Sequence, residues 1–158
     1  MGLTQERLKE LLHYNPDTGL FTWIVGNGRR ADQAGRHAGC PNAKGYIRIT
    51  VDQRSHMAHR LAWLYMTGKL PEQFIDHENL DKGDNRWGNL REATKAQNNA
   101  NQPARTASGL KGAYWSDASM SWQAKINNRY LGSYGTAEEA HAAYMDAAQE
   151  QFGEFART

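Results

Sequence analysis

The sequence predicts an α+β protein in two parts, and three observations carry that expectation. Residues 46–51 alternate with the two-residue period of a strand, whereas Leu61, Leu64 and Tyr65 recur at helical spacing. Two capping-box patterns, Thr94-Lys95-Ala96-Gln97 and Thr136-Ala137-Glu138-Glu139, mark helix starts far apart in the chain. Between them residues 101–109 are polar, small and aperiodic, which is the composition of a linker. The expected division is a body over 1–102 with a basic N-terminal segment, a linker over 103–109 and a smaller module over 110–158.

The elements follow in order. Thr4, Gln5, Glu6, Arg7 and Leu8, with Leu11 and Leu12, make a short N-capped helix. Residues 14–19, with Asn15, Pro16, Asp17 and Gly19, form a turn cluster, and the apolar run 20–25 after it is a strand. Residues 26–45 are rich in Gly, Arg and Asn and read as a loop. A strand over 46–51 precedes a helix over 58–67 that Gly68 ends. Residues 75–79 and 89–92 read as two short strands around a polar loop, and Thr94 opens a helix through about Gln102. Beyond the linker, strands are expected over 113–116, 121–127 and 129–133. A helix over 137–152 then carries the apolar stripe Ala140, Ala143, Tyr144, Ala147 and Ala148.

Composition narrows the function classes. With 158 residues and 39% apolar, the core is modest. The single cysteine, Cys40, excludes an internal disulfide framework and a structural zinc site built on several thiolates, so a cytoplasmic protein is expected. No apolar run has the length of a membrane span, and the charged, helix-patterned N-terminal segment lacks a signal-peptide pattern. The net charge of +2 hides a strong ordering. Residues 1–70 carry ten Lys/Arg against five Asp/Glu, and 71–102 carry four against six. Residues 103–135 carry four against one, and 136–158 one against five. Two basic regions around an acidic pocket suit a polyanion held from two sides.

The chemistry concentrates at Asp76-His77, followed thirteen and twenty-two residues beyond Asp76 by Asn89 and Asn98. An acid that can hold a divalent cation adjoins a histidine that can take a proton near its ordinary pKa. Asn99 and Asn101 are neighbours of Asn98 that could take its place. Asn99 points about a hundred degrees away on a helix, while Asn101, three residues on, lies on a similar face. His59, at the start of an apolar helix, reads as a packing or orienting residue. His13, His37, His56 and His141 have no partner pattern and are expected at the surface, and Trp63 and Trp87 in the core.

These residues, with Thr18-Gly19-Leu20-Phe21-Thr22-Trp23, Gly45-Tyr46-Ile47, Ala58-His59-Arg60-Leu61-Ala62-Trp63 and Asp84-Asn85-Arg86-Trp87-Gly88-Asn89-Leu90-Arg91, carry a resemblance. Residues 14–101 resemble the phage-type His-Asn-His (HNH) endonucleases, a group of free-standing and intron-encoded homing enzymes. The resemblance implies a ββα-metal fold, two strands and a helix around one cation. It implies Asp76 as the carboxylate ligand and His77 as the general base. Asn89 would brace the loop and orient His77, and Asn98 would be an oxygen ligand where many relatives have a second histidine. Mg²⁺ or Mn²⁺, one per site, fits such oxygen ligands. The substrate implied is double-stranded DNA, cut to a 5′ phosphate and a 3′ hydroxyl in the host cytoplasm.

The second part carries its own resemblance. Gly112-Ala113-Tyr114-Trp115, Trp122-Gln123-Ala124-Lys125-Ile126, Tyr130-Leu131-Gly132-Ser133-Tyr134, residues 136–144 and Phe152-Gly153-Glu154-Phe155-Ala156 resemble the APETALA-type, or ethylene-response-factor-like, domain. That family is a three-stranded antiparallel sheet backed by one helix, and its sheet enters the DNA major groove. The resemblance places Tyr114, Ser116, Lys125, Asn127, Asn128 and Tyr130 against DNA. Several of these are arginines in the plant proteins, so the plant target sequence does not transfer. Arg29, Arg30, Arg36, Lys44 and Arg48 are expected phosphate contacts. The expected protein is a metal-dependent nicking or double-strand-cutting DNA endonuclease, monomeric or weakly dimeric, with no membrane partner. The alternatives are a catalytically silent DNA-binding regulator and a structural or packaging-associated phage protein.

Overall fold

A computed structural model describes residues 2–24 and 34–157. Helices and strands are mixed throughout, and the chain forms two compact units, Met1–Ala93 and Thr94–Thr158. The segment 103–109, expected as a linker, falls inside the second unit. Among the described residues no helix is long and apolar enough to cross a membrane.

The first unit begins with α1 (Gln5–Leu11), whose N-terminus is capped by the Thr4 hydroxyl accepting from Arg7 N. The chain then turns directly into β1 (Leu12–Tyr14), paired antiparallel with β2 (Phe21–Trp23). The expected strand over 20–25 is thus shorter, and Val25 lies outside the described residues. The turn between them is held by Asn15 Oδ1, which accepts from Asp17 N at 2.9 Å and Thr18 N at 3.1 Å. Gly19 completes it at φ 72°, where a Cβ would strike the backbone of Asn85 and Arg86.

The expected loop over 26–45 contains a two-residue strand, β3 (Cys40–Pro41), on the edge of β4 (Ile47–Val51). Asp52 and Gln53, both at positive φ, turn β4 into β5 (Arg54–Met57), a strand that its polar residues did not announce. Next, α2 (Ala58–Thr67) buries Leu61, Ala62 and Leu64 and ends at Gly68, whose N–H returns to Leu64 O. The two strands expected around the polar loop are β6 (Phe74–His77) and β7 (Leu90–Ala93), antiparallel, with Asp76 opposite Arg91 and His77 opposite Leu90. Leu8, Leu12, Tyr14, Phe21, Ile49, Val51, Leu61, Ile75 and Leu90 share one apolar core. Trp63 and Trp87, expected in that core, are half-buried with ring centroids 5.0 Å apart.

The second unit opens with α3 (Lys95–Asn101), whose capping box is complete: Thr94 Oγ1 accepts from Gln97 N and the Gln97 side chain accepts from Thr94 N. Strands β8 (Ala113–Ser116), β9 (Ser121–Ile126) and β10 (Arg129–Tyr134) form an antiparallel sheet with β9 in the middle. Asn127 and Asn128, both at positive φ, make the β9–β10 turn, a left-handed pair that asparagine tolerates best after glycine. Helix α4 (Ala137–Phe152), capped by Thr136 and Glu139, packs Ala140 and Ala143 against Ala113, Ala124 and Trp122. Its approach is close enough that a Cβ on Gly112 would enter the Tyr144 ring. On β9, Trp122, Ala124 and Ile126 alternate with Gln123 and Lys125, so Lys125 stands on the face away from that core.

Candidate active site

The end of β6 places two ionisable side chains in succession. Asp76 is 1% exposed and His77 5% exposed. Alternation along the strand directs them to opposite faces, so each has its own surroundings. Asp76 Oδ2 accepts from Arg91 Nε at 3.1 Å, the residue directly across the ladder. A carboxylate this deeply buried needs compensating positive charge, and Arg91 supplies one source of it.

His77 lies among rings. His59, from the first turn of α2, meets it edge-on with centroids 5.1 Å apart. Tyr46 is 5.3 Å from His59 and 5.9 Å from His77, and Lys82 Nζ sits 5.3 Å over the Tyr46 ring. Burial pushes the His77 pKa below its ordinary value, opposed by the Asn85 contact and by Asp76, Asp81 and Asp84. His59 is pushed down further, to about 3, chiefly by burial and then by His77 and Arg60. His59 is therefore a neutral imidazole over the working range. Among the described residues, its Nδ1 is the buried side-chain nitrogen or oxygen that lacks a hydrogen-bond partner.

The side chain that faces His77 across the loop is Asn85, which sequence reasoning passed over. Asn85 is 2% exposed, and its Nδ2 donates to Gly83 O at 2.9 Å. That bond turns Oδ1 toward His77 Nε2, 3.5 Å away, a weak hydrogen bond at the long limit. An acceptor at this position favours hydrogen on the facing Nε2, where the amide can hold the orientation of the ring. Asn85 is itself fixed from a distance: Tyr14 Oη donates to its carbonyl at 2.7 Å, and Trp87 N donates to Pro16 O at 2.9 Å. The only signal in the sequence was an asparagine in a polar loop rich in asparagine and aspartate.

Asn89 is buried, and its amide closes the loop ends. Oδ1 accepts from Asn79 N at 3.0 Å and Nδ2 donates to Asp84 O at 2.8 Å. Its main-chain carbonyl accepts from Glu78 N at 3.0 Å. Asp84 in turn is gripped by Arg86 and Asn79, and the Arg86 hydrogen bonds hold its carboxyl down at about 2.

The other predicted residues are distributed as follows. In the second unit Asn98 is half-buried on α3 with its N–H bonded to Thr94 O, Asn99 is exposed and Asn101 is buried. Arg36, Lys44 and Arg48 are exposed in the first unit, while Arg29 and Arg30 lie outside the described residues. In the second unit Tyr114, Lys125, Asn127, Asn128 and Tyr130 are exposed and Ser116 is half-buried. Tyr130 Oη bonds Ser133 Oγ at 2.8 Å. Two histidines expected at the surface are half-buried, His56 on β5 and His141 on α4. The Nδ1 of His141 meets Lys111 O at 2.8 Å.

For a metal, the relevant donors are oxygens. Among the described residues no group of three or more His, Cys, Asp or Glu side chains is placed to hold an ion. Asp76 offers carboxylate oxygen, the donor type of hard cations that complete their shells with water and phosphate oxygen. The donor chemistry thus fits such a cation, with Arg91 as a competitor for the same carboxylate.

No curated protein and no solved structure matches the chain. Residues 56–100 match the family model of HNH endonuclease, a span that holds α2, β6, β7, His59, Asp76, His77, Asn85, Asn89 and Asn98. That match supports a nuclease of the HNH type, a family that acts on DNA and generally uses a divalent metal.

Proposed function

We propose that the chain is a metal-dependent DNA endonuclease of the homing and phage type, nicking or cutting both strands. The observation that carries this reading is the buried His77, with Nε2 3.5 Å from the Asn85 amide oxygen, within the HNH-matched segment. In the proposed reaction the His77 imidazole takes a proton from water as the water oxygen attacks phosphorus. The bond from phosphorus to the 3′ oxygen breaks, that oxygen takes a proton from solvent, and the ends are a 5′ phosphate and a 3′ hydroxyl. Asp76 would be the carboxylate ligand of one Mg²⁺ or Mn²⁺ ion, with Asn98 as the amide ligand. When bound, the ion supplies positive charge against the phosphate and the departing oxygen. Asn89 acts by closing the loop that carries Asn85.

In the same proposal the second unit is an APETALA-like DNA reader, using Tyr114, Ser116, Lys125 and Tyr130 on its sheet and the Asn127-Asn128 turn. Exposure of Tyr114, Lys125 and Tyr130 supports this. Arg36, Lys44 and Arg48 would contact phosphate in the first unit. With one active centre per chain, a monomer nicks, and cutting both strands takes two events or a weak dimer.

One observation favours a second reading, a catalytically silent DNA-binding regulator: Arg91 already pairs with the carboxylate that a cation would use. The readings separate on supercoiled plasmid incubated with Mg²⁺, Mn²⁺ or EDTA, using wild type and His77→Ala. A nuclease nicks only with metal, and His77→Ala is slower by about 10²–10⁴-fold, the usual contribution of a general base. Relaxation in EDTA, or an equally active His77→Ala protein, sinks the mechanism. A retained gel shift with no nicking under any metal establishes the regulator.

A further inference from the structure

The second unit contains a cavity of about 400 Å³, within the size range of small-molecule sites. Its walls come from α3, the segment after it, β8, the end of β9, and Tyr144 and Phe152 of α4. Among the described residues three cationic ones line it, Arg105, Lys111 and Lys125, and no carboxylate does. Lys111 is 7% exposed, and its Nζ donates to two main-chain carbonyls, Ala100 O at 2.6 Å and Arg157 O at 2.9 Å. A lysine this buried is ordinarily paired with an acid. Here the hydrogen-bond partners are neutral oxygens, and both burial and the Arg157 charge disfavour the ammonium. An anion in the cavity would balance that charge.

Phosphate alone does not account for the remaining walls. Tyr114, half-exposed, presents an aromatic ring, and Asn99 and Asn127 carry amides with both donors and acceptors. A ring to stack on, amides to meet a base edge and cations to meet a phosphate together describe a nucleotide. We propose that this cavity binds one 5′-phosphorylated nucleoside, free or as an unpaired residue of a DNA strand. Its phosphate would lie at Arg105, Lys111 and Lys125 and its base against Tyr114, Asn99 and Asn127. The inference deepens the DNA-binding reading of this unit and rests on it. An unpaired base needs no unstacking before capture, so the cavity would select looped or frayed sites over continuous duplex.

The test uses the full-length chain and calorimetric titration with thymidine 5′-monophosphate, thymidine and inorganic phosphate. In parallel, gel shifts in EDTA compare a perfect duplex with the same duplex carrying one extrahelical thymidine. Lys111 is bonded to two carbonyls, so the variants are the exposed Arg105→Ala and Tyr114→Ala. The expected result is nucleotide binding at least about tenfold tighter than either fragment, and about tenfold weaker in Tyr114→Ala, as loss of one stacked base gives. Arg105→Ala weakens the nucleotide and leaves the nucleoside unchanged. A preference for the bulged duplex identifies the strand as the source. Equal duplex affinities with nucleotide binding retained identify the free nucleotide. Phosphate binding as tightly as nucleotide, or no binding of any arm, overturns the proposal. Plasmid nicking that persists without nucleotide binding removes this inference alone, whereas loss of both nicking and duplex binding removes the functional reading beneath it.

Discussion

The residue with the most to reveal about the first unit is His59. Its Nδ1 is buried without a partner among the described residues, and burial pushes its pKa down to about 3 from the ordinary 6.5 of the unfolded chain. Between those values the unfolded chain binds a proton that the folded one refuses, so stability falls as pH drops from about 6.5 toward 3. The slope from this group reaches about 1.4 kcal/mol per pH unit. His59→Leu should therefore unfold in urea with a shallower pH dependence between pH 6.5 and 4.5 than wild type. An unchanged dependence means that another group controls acid unfolding. Asn85 is the second residue of interest, because its amide oxygen faces His77 Nε2 from 3.5 Å away. Asn85→Ala is expected to slow nicking by about 10–100-fold, the cost of losing an orienting partner, while leaving the EDTA gel shift unchanged. Undiminished turnover would exclude the orienting role.

At the scale of elements, the turn between β1 and β2 stands out because it reaches the loop that carries Asn85. Tyr14 Oη bonds Asn85 O, Trp87 N bonds Pro16 O, and Gly19 has no side chain to collide with the Asn85–Arg86 backbone. Gly19→Ala meets both a left-handed φ and that backbone, so a loss of about 1–3 kcal/mol is expected on urea unfolding. Because the displaced atoms include those of Asn85, nicking should fall along with stability. A variant with wild-type stability and rate would mean the turn yields freely. Prediction from pattern succeeded for α2 and α4, where apolar spacing persists over several turns, and for β4 and β9, which alternate. It missed β1 and β5. Leu12–Tyr14 continues the apolar stripe of a helix, and Arg54–Met57 is polar, so each is a strand only because a neighbour supplies its ladder.

For the whole molecule, the proposal joins two modest DNA contacts on one chain, and their affinities reinforce each other through effective concentration. Both contacts are cationic, so binding should weaken steeply with salt. In gel shifts across a salt series in EDTA, Lys125→Ala and Arg48→Ala should each reduce the slope of log affinity against log salt by about one. Arg48→Ala should weaken specific and random duplexes alike, as a phosphate contact does. A slope unaffected by either substitution would place DNA elsewhere on the protein. The legible part was local. Asp76 beside His77, the capping boxes and the strand and helix periods are relations among neighbours, and the chain states them directly. The rest depends on packing between distant residues. Arg91 reaches Asp76 through the β6–β7 register, Asn85 is set against His77 by a tyrosine 71 residues away, and Lys111 is buried by carbonyls on either side of it in sequence. A loop asparagine, a strand arginine and a surface-type lysine look ordinary in one dimension, and they acquire their roles only where burial makes an unpaired polar atom costly.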